Sequence, residues 1–193
     1  MKMEKNNLET FCPASRTDWR EWLEENHLSK QSVWLICYRK KSNIPTVNWS
    51  DSVDEALCFG WIDSTRKTID DKSFMQLFTK RKPKSNWSKI NKEKVERLIE
   101  NGLMTQAGLN CIEIAKQNGS WTILDDVEAL KIPNDFAQAL RQYRGSKAHF
   151  LSLSKSVKKM ILHWIVSAKR AETREKRIGI IAERIANKEK PII

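Results

Sequence analysis

The chain has 193 residues with a formal charge of +11; 40% of its residues are apolar and 31% charged. These are globular rather than disordered values, and the length gives one domain a real core. No apolar run reaches the ~18 residues of a membrane span, and the opening MKMEKNNLETFCP lacks the apolar stretch of a secretory signal. The expectation is a cytoplasmic protein with no membrane span.

The first predicted element is a helix from about Ser15 to Asn26, capped by Ser15, with Trp19, Trp22 and Leu23 at helical spacing. SVWLICYRKK follows as a strand whose nearly continuous apolar character calls for cover on both faces. SNIPT reads as a loop, because Pro45 cannot sit in a central strand. WSDSVDEALCFG reads as a short helix capped by Ser50 or Ser52 and ended by Gly60. WIDSTRKTID and SFMQLFTKR are two strands joined at Asp70–Asp71. After KPKSNW the pattern turns helical, with helices from Ser88 to Asn101–Gly102 and from about Thr105 to Asn118. SWTILDDVEALKIP is expected to be a loop or extended connector. Helices are predicted again from about Asn134, within Tyr143–Leu153, after Ser154, and over AETREKRIGIIAERI. The fold class is therefore α+β: a small antiparallel sheet of about three strands with helices, then a mostly helical C-terminal half. One domain is expected, its α+β part ending near residue 87 and its helical part starting near residue 88.

The four cysteines, Cys12, Cys37, Cys58 and Cys111, are far apart and lack a histidine cluster. They read as small buried hydrophobes, with no metal site and no cofactor expected. Charge is spread unevenly. Residues 151–193 hold 11 Lys+Arg against 4 Asp+Glu, and residues 80–97 hold 8 against 2. Two basic concentrations point to an anionic partner or to a solvated basic face.

Three stretches carry the candidate site. In CFGWIDSTRK, Gly60 lets the chain leave a helix in a left-handed conformation and enter a strand at once. Strand alternation puts Trp61 and Asp63 on one face and Ile62, Ser64 and Arg66 on the other. Trp61 is either a core anchor or a flat apolar wall; Asp63 is either a structural carboxylate or a group that orients a donor. In TKRKPKSNWSKIN, the five donors Lys80, Arg81, Lys82, Lys84 and Asn86 surround a proline, and Trp87 precedes a helix N-terminus at Ser88. That combination describes an anion site or an ordinary capped loop. In AKRAETREKRI, Lys169 and Arg177 share a helical stripe and Arg174 lies between two acids.

Catalytic templates do not fit. His27, His149 and His163 fall in unrelated contexts, there is no GxSxG, P-loop or GxGxxG, and Cys58 has no assignable base. Asp51, Asp54 and Glu55 share a helix start and read as dipole partners rather than metal ligands.

The stretches EALCFGWIDSTRKTID, FTKRKPKSNWSKIN and WIVSAKRAETREKRI occur in this order and spacing. In them the chain resembles the YdeI/OmpD-associated family, often labelled bacteriocin-protection proteins, from about Trp19 to Ile185. The resemblance implies a part in tolerance of antimicrobial peptides or other stress, and brings no reaction and no agreed catalytic residues. A strongly cationic chain repels a cationic peptide, so direct capture of one is not the expected mechanism. The leading expectation is a non-enzymatic protein that binds a small anionic ligand. Its site is placed where the FGWIDS strand meets the RKPKSNWS loop, with the C-terminal helices as a wall. A nucleic-acid partner is the second reading, permitted by the charge and the tryptophans but lacking a recognised motif. An enzyme using Asp63 as general base is the third. A protein partner is left open.

Overall fold

The computed structural model describes residues 9–190, which fall into two compact units. The first unit runs to Ser85 and resumes over Ile90–Ser120; the second comprises Asn86–Lys89 and everything from Trp121 onward. The α+β class expected from the sequence is what the fold shows.

In the first unit, α1 (Arg16–Asn26) starts at Ser15, whose hydroxyl oxygen accepts the Asp18 N–H. β2 (Ser32–Tyr38) pairs antiparallel with β4 (Ser73–Lys80), and β4 pairs antiparallel with β3 (Trp61–Thr68). A fourth strand, β1 (Thr10–Phe11), adds in parallel to β2, giving the order β1-β2-β4-β3. The sheet thus has one strand more than expected, because a two-residue strand carries no periodicity to read.

The alternation expected along β3 is also broken. Asp63 pairs with Phe78 but Arg66 pairs with Gln76, so β3 spends one extra residue there. This bulge returns Arg66 to the face of Asp63, against the opposite-face expectation. Arg66 then lies over the Phe74 ring, 3.6 Å from its centroid.

α2 (Trp49–Cys58) is capped by Asn48, whose side chain accepts the Asp51 N–H, rather than by Ser50 or Ser52. Trp19 packs on Phe78 at 5.3 Å between ring centroids, and its indole N–H donates to the Ser52 carbonyl at 3.0 Å. The α1–α2 layer therefore covers the sheet face that carries Val33, Leu35 and Phe78.

Asp54 and Glu55, read from the sequence as dipole partners at a helix start, are buried and paired with cations from other helices. Glu55 accepts from Arg16 Nε at 2.5 Å and from Arg20 at 2.7 Å, tying α1 to α2. Asp54 accepts from Lys94 and Arg97 of α3 (Lys89–Glu100). α4 (Gln106–Gln117) is capped by Thr105, whose own N–H and hydroxyl both donate to the Cys58 carbonyl at the end of α2. Gly108 permits this approach: a Cβ there would stand 2.3 Å from the Cys58 oxygen. α3 and α4, the first two helices of the helical half, belong to the unit of the sheet.

In the second unit, the segment expected as a connector contains a short helix, α5 (Asp125–Glu128), whose start is rich in acids but lacks apolar periodicity. α6 (Asn134–Arg141), α7 (Ser146–Ser152), α8 (Lys155–Val166) and α9 (Ala171–Ala186) follow. Their inward faces build one core of Phe136, Leu140, Phe150, Ile161, Ile165 and Ile181. Phe136 and Phe150 meet edge to face at 5.3 Å. Among the described residues no helix is long and apolar enough to cross a membrane.

Candidate ligand site

The α2-to-β3 turn positions the most distinctive concavity of the first unit. Gly60 has φ +72°, a left-handed conformation that costs a glycine little. Its carbonyl accepts the Arg81 N–H at 2.9 Å, fixing the end of β4 beside the turn. A Cβ on Gly60 would lie 3.1 Å from the Ala107 carbonyl oxygen, so α4 crosses here with no room to spare. Between these elements lies a cleft of about 250 Å³. Gly60 and Trp61 form its base, Lys80, Arg81 and Pro83 one side, and α4 the other through Ala107, Asn110, Cys111 and Ile114. His27, Leu28 and Phe59 complete it.

The charge in this cleft has one sign. Lys80 and Arg81 line it and no Asp or Glu does. Arg81 is only 8% exposed. Burial strips water from its guanidinium and brings its pKa down to about 10, with the Cys111 thiol and the Asp63 carboxylate only partly opposing. Lys80 Nζ donates to the Leu28 carbonyl at 2.7 Å, which holds the ammonium at the cleft and leaves two further N–H donors. His27 donates from Nδ1 to the Leu23 carbonyl at 2.8 Å, leaving Nε2 for another partner, and its ring packs against Phe59. Burial raises the Cys111 pKa while Arg81 pulls it back.

Of the candidate residues, Trp61 and Arg81 line this cleft. Trp61 is fully buried; its indole N–H donates to the His27 carbonyl at 3.4 Å and Trp22 meets it edge-on. Asp63 lies next along β3 and accepts from the indole N–H of Trp49 at 3.2 Å. Lys84 is exposed on the loop after β4.

The other candidates belong to the second unit. There Trp87 is buried, with its ring 4.9 Å from that of Trp121, and Asn86 precedes it at intermediate exposure. Lys169 is exposed. Arg174 spans both oxygens of Asp135, at 2.6 and 3.0 Å, and reaches the Ile165 carbonyl. Arg177 donates to the Trp164 carbonyl at 2.6 Å and to Ser167 Oγ at 3.1 Å, while lying over the Trp164 ring. Both arginines thus satisfy carbonyls at the end of α8, a strut-like arrangement.

Sequence reasoning counted Lys80 among the donors around Pro83 but did not enlist His27, Asn110 or Cys111. Lys80 adjoins Arg81 and was legible as part of the same strand end. The α4 residues carry no signal, because only the close crossing at Gly60 and Gly108 brings that helix to the site. Cys58 is unsuited to nucleophilic work at neutral pH: burial, with Glu55 adding its charge, pushes its pKa up to about 11. Among the described residues no cluster of three or more His, Cys, Asp or Glu is arranged to hold a metal ion.

No curated protein and no solved structure matches the chain. Residues 11–111, just over half of the chain, match the model of a domain of unknown function, DUF8412. Residues 129–188 match the family described as Bacteriocin-protection, YdeI or OmpD-Associated. Of the three stretches that carry the resemblance, WIVSAKRAETREKRI lies in the second match. The other two, with FGWIDS and RKPKSNWS, lie in the first. The chain therefore belongs to the DUF8412 family, whose model covers residues 11–111, and over residues 129–188 it matches the YdeI/OmpD-associated, bacteriocin-protection family.

Proposed function

We propose that this chain is a cytoplasmic, non-enzymatic binding protein that takes a small anionic ligand into the cleft between the Gly60 turn, the end of β4 and α4. The observation that carries the reading is the cleft's composition: Lys80 and Arg81 on its wall with no carboxylate among its lining residues. A cation taken partly out of water gains most from an anion that comes out of water with it. Asp63, the best general-base candidate, lies outside the lining and holds the Trp49 indole, which favours binding over proton transfer. The four free cysteines, two of them buried, suit a reducing compartment. The name of the family matched by residues 129–188 supports a physiological role in stress or antimicrobial-peptide tolerance. That role would be exercised through the ligand rather than by capture of a cationic peptide.

Calorimetric titration with small carboxylates and phosphates, on the parent and on Lys80→Gln and Arg81→Gln, tests this reading. Each substitution is expected to weaken anion binding about tenfold or more, as loss of a charge-assisted hydrogen bond does. Unchanged affinity in Lys80→Gln, whose side chain is on the surface, would contradict the reading. A large fall in melting temperature in Arg81→Gln with affinity retained would make Arg81 a structural strut.

A further inference from the structure

The cleft joins a cationic end to an apolar mouth. Leu28 is 76% exposed and Ile114 43% exposed, and both line it. Large aliphatic side chains held in water at the rim of a cavity are surface that an apolar body would cover. The polar side chains that face a ligand are few: beyond Lys80 and Arg81 there are His27, Asn110 and the Cys111 thiol. A sugar or nucleoside would meet too few partners for its hydroxyls.

The cationic end is also unlike a phosphate cradle. Phosphate sites draw on free backbone N–H groups, and at the Gly60 turn and the end of β4 those groups are already bonded. The Phe59 N–H donates to the Ala56 carbonyl, Gly60 to Leu57, Lys80 to Gln31 and Arg81 to Gly60, while Pro83 has none. The head group must be one that two side-chain cations can satisfy, and a carboxylate is such a group. The cleft's volume of about 250 Å³ lies below the usual range for drug-sized ligands, which limits the molecule to on the order of ten non-hydrogen atoms.

We infer that the ligand is a small amphipathic carboxylic acid, its carboxylate at Lys80 and Arg81 and its alkyl or aryl body along Leu28 and Ile114. The inference rests on the anion-binding reading and narrows it to one ligand class. The carboxylate carries the negative charge and takes hydrogen bonds from Lys80 and the Arg81 guanidinium. The body displaces water from the mouth, so charge and chain length both contribute to affinity.

The test is calorimetric titration of the full chain with four probes: octanoate, 1-octanol, acetate and inorganic phosphate. Octanoate is expected to bind at least tenfold more tightly than each of the other three. Ile114→Asp places a carboxylate on an exposed position of α4 at the mouth. It is expected to weaken octanoate at least tenfold while leaving the melting temperature unchanged. Phosphate binding more tightly than octanoate would overturn the inference while leaving an anion site in place. Octanoate no tighter than acetate would do the same. Octanol equal to octanoate, or no binding of any probe, would overturn both the inference and the anion reading beneath it.

Discussion

In the first unit two neighbouring carboxylates of α2, Asp54 and Glu55, are buried and each holds two cations from other helices. In the second unit the carboxylates stay at the rim and the interior is a cluster of Phe136, Leu140, Phe150, Ile161 and Ile181. The contrast follows from helix sequence. α2 places Asp54 and Glu55 side by side on a helix buried on almost every side, so they must find cations or remain uncompensated. α8 and α9 keep their charges on outer faces, and apolar residues at helical spacing suffice to pack them. Buried ion pairs add little net stability but make the arrangement of α1, α2 and α3 conditional on particular partners. That arrangement also sets the Gly60 turn on which the cleft depends.

Substitutions in the two units test this contrast. Phe150→Ala, in the fully apolar interior, is expected to cost about 3–5 kcal/mol through the cavity it leaves. Hydrogen exchange should localise that loss to the second unit. Glu55→Gln is expected to cost the first unit about 3 kcal/mol, the low end for a broken buried pair, because Arg16 and Arg20 retain some access to water. The double variant Glu55→Leu, Arg20→Met should recover most of that loss in chemical denaturation. Failure to recover would mean that the pair contributes stability outright and not only specificity.

Gly108→Ala is expected to cost about 1–3 kcal/mol, since its Cβ would overlap the Cys58 carbonyl and push α4 away from α2. It should weaken ligand binding in parallel, because α4 is one wall of the cleft.

The smallest effect belongs to Asp135→Asn, expected below about 1 kcal/mol because the carboxylate is 47% exposed. The Arg174 hydrogen bond, against the opposing cost of burial, holds the Asp135 pKa below its ordinary 3.8. A depressed folded-state pKa contributes stability that is complete above 3.8 and is lost as pH falls through the folded value. Urea midpoints of parent and variant should differ slightly at neutral pH and converge in acid. A difference that grew in acid would contradict the pairing.

Much of the secondary structure was legible because it rests on local chemistry. Ser15, Thr105 and Ser154 cap the helices they were read to start, and the left-handed Gly60 ends α2 as expected. The misreadings have separate causes. Asn48 outcompeted two nearby serines as a cap, the bulge between Asp63 and Arg66 shifted a face, and β1 was too short to show a period. The bulge turns on a single extra residue and β1 on a partner distant in sequence, whereas the Asn48 cap is a local choice among neighbouring capping residues. The candidate site divides along the same line. Gly60, Trp61 and Arg81 were visible as a glycine turn, an adjoining aromatic and a cation at a strand end. The α4 wall was not, since Asn110 and Cys111 reach the cleft only through the tight crossing that Gly108 allows.

The central claim, that the cleft beside Gly60 is an anion site, is tested most directly by mapping amide shifts in ¹⁵N-labelled protein during titration with octanoate. The expected result is a saturable set of shifts at Gly60, Arg81, Ala107, Asn110 and Cys111. Shifts confined to the exposed lysines and arginines around Lys169, or none that saturate with octanoate or with inorganic phosphate, would contradict it.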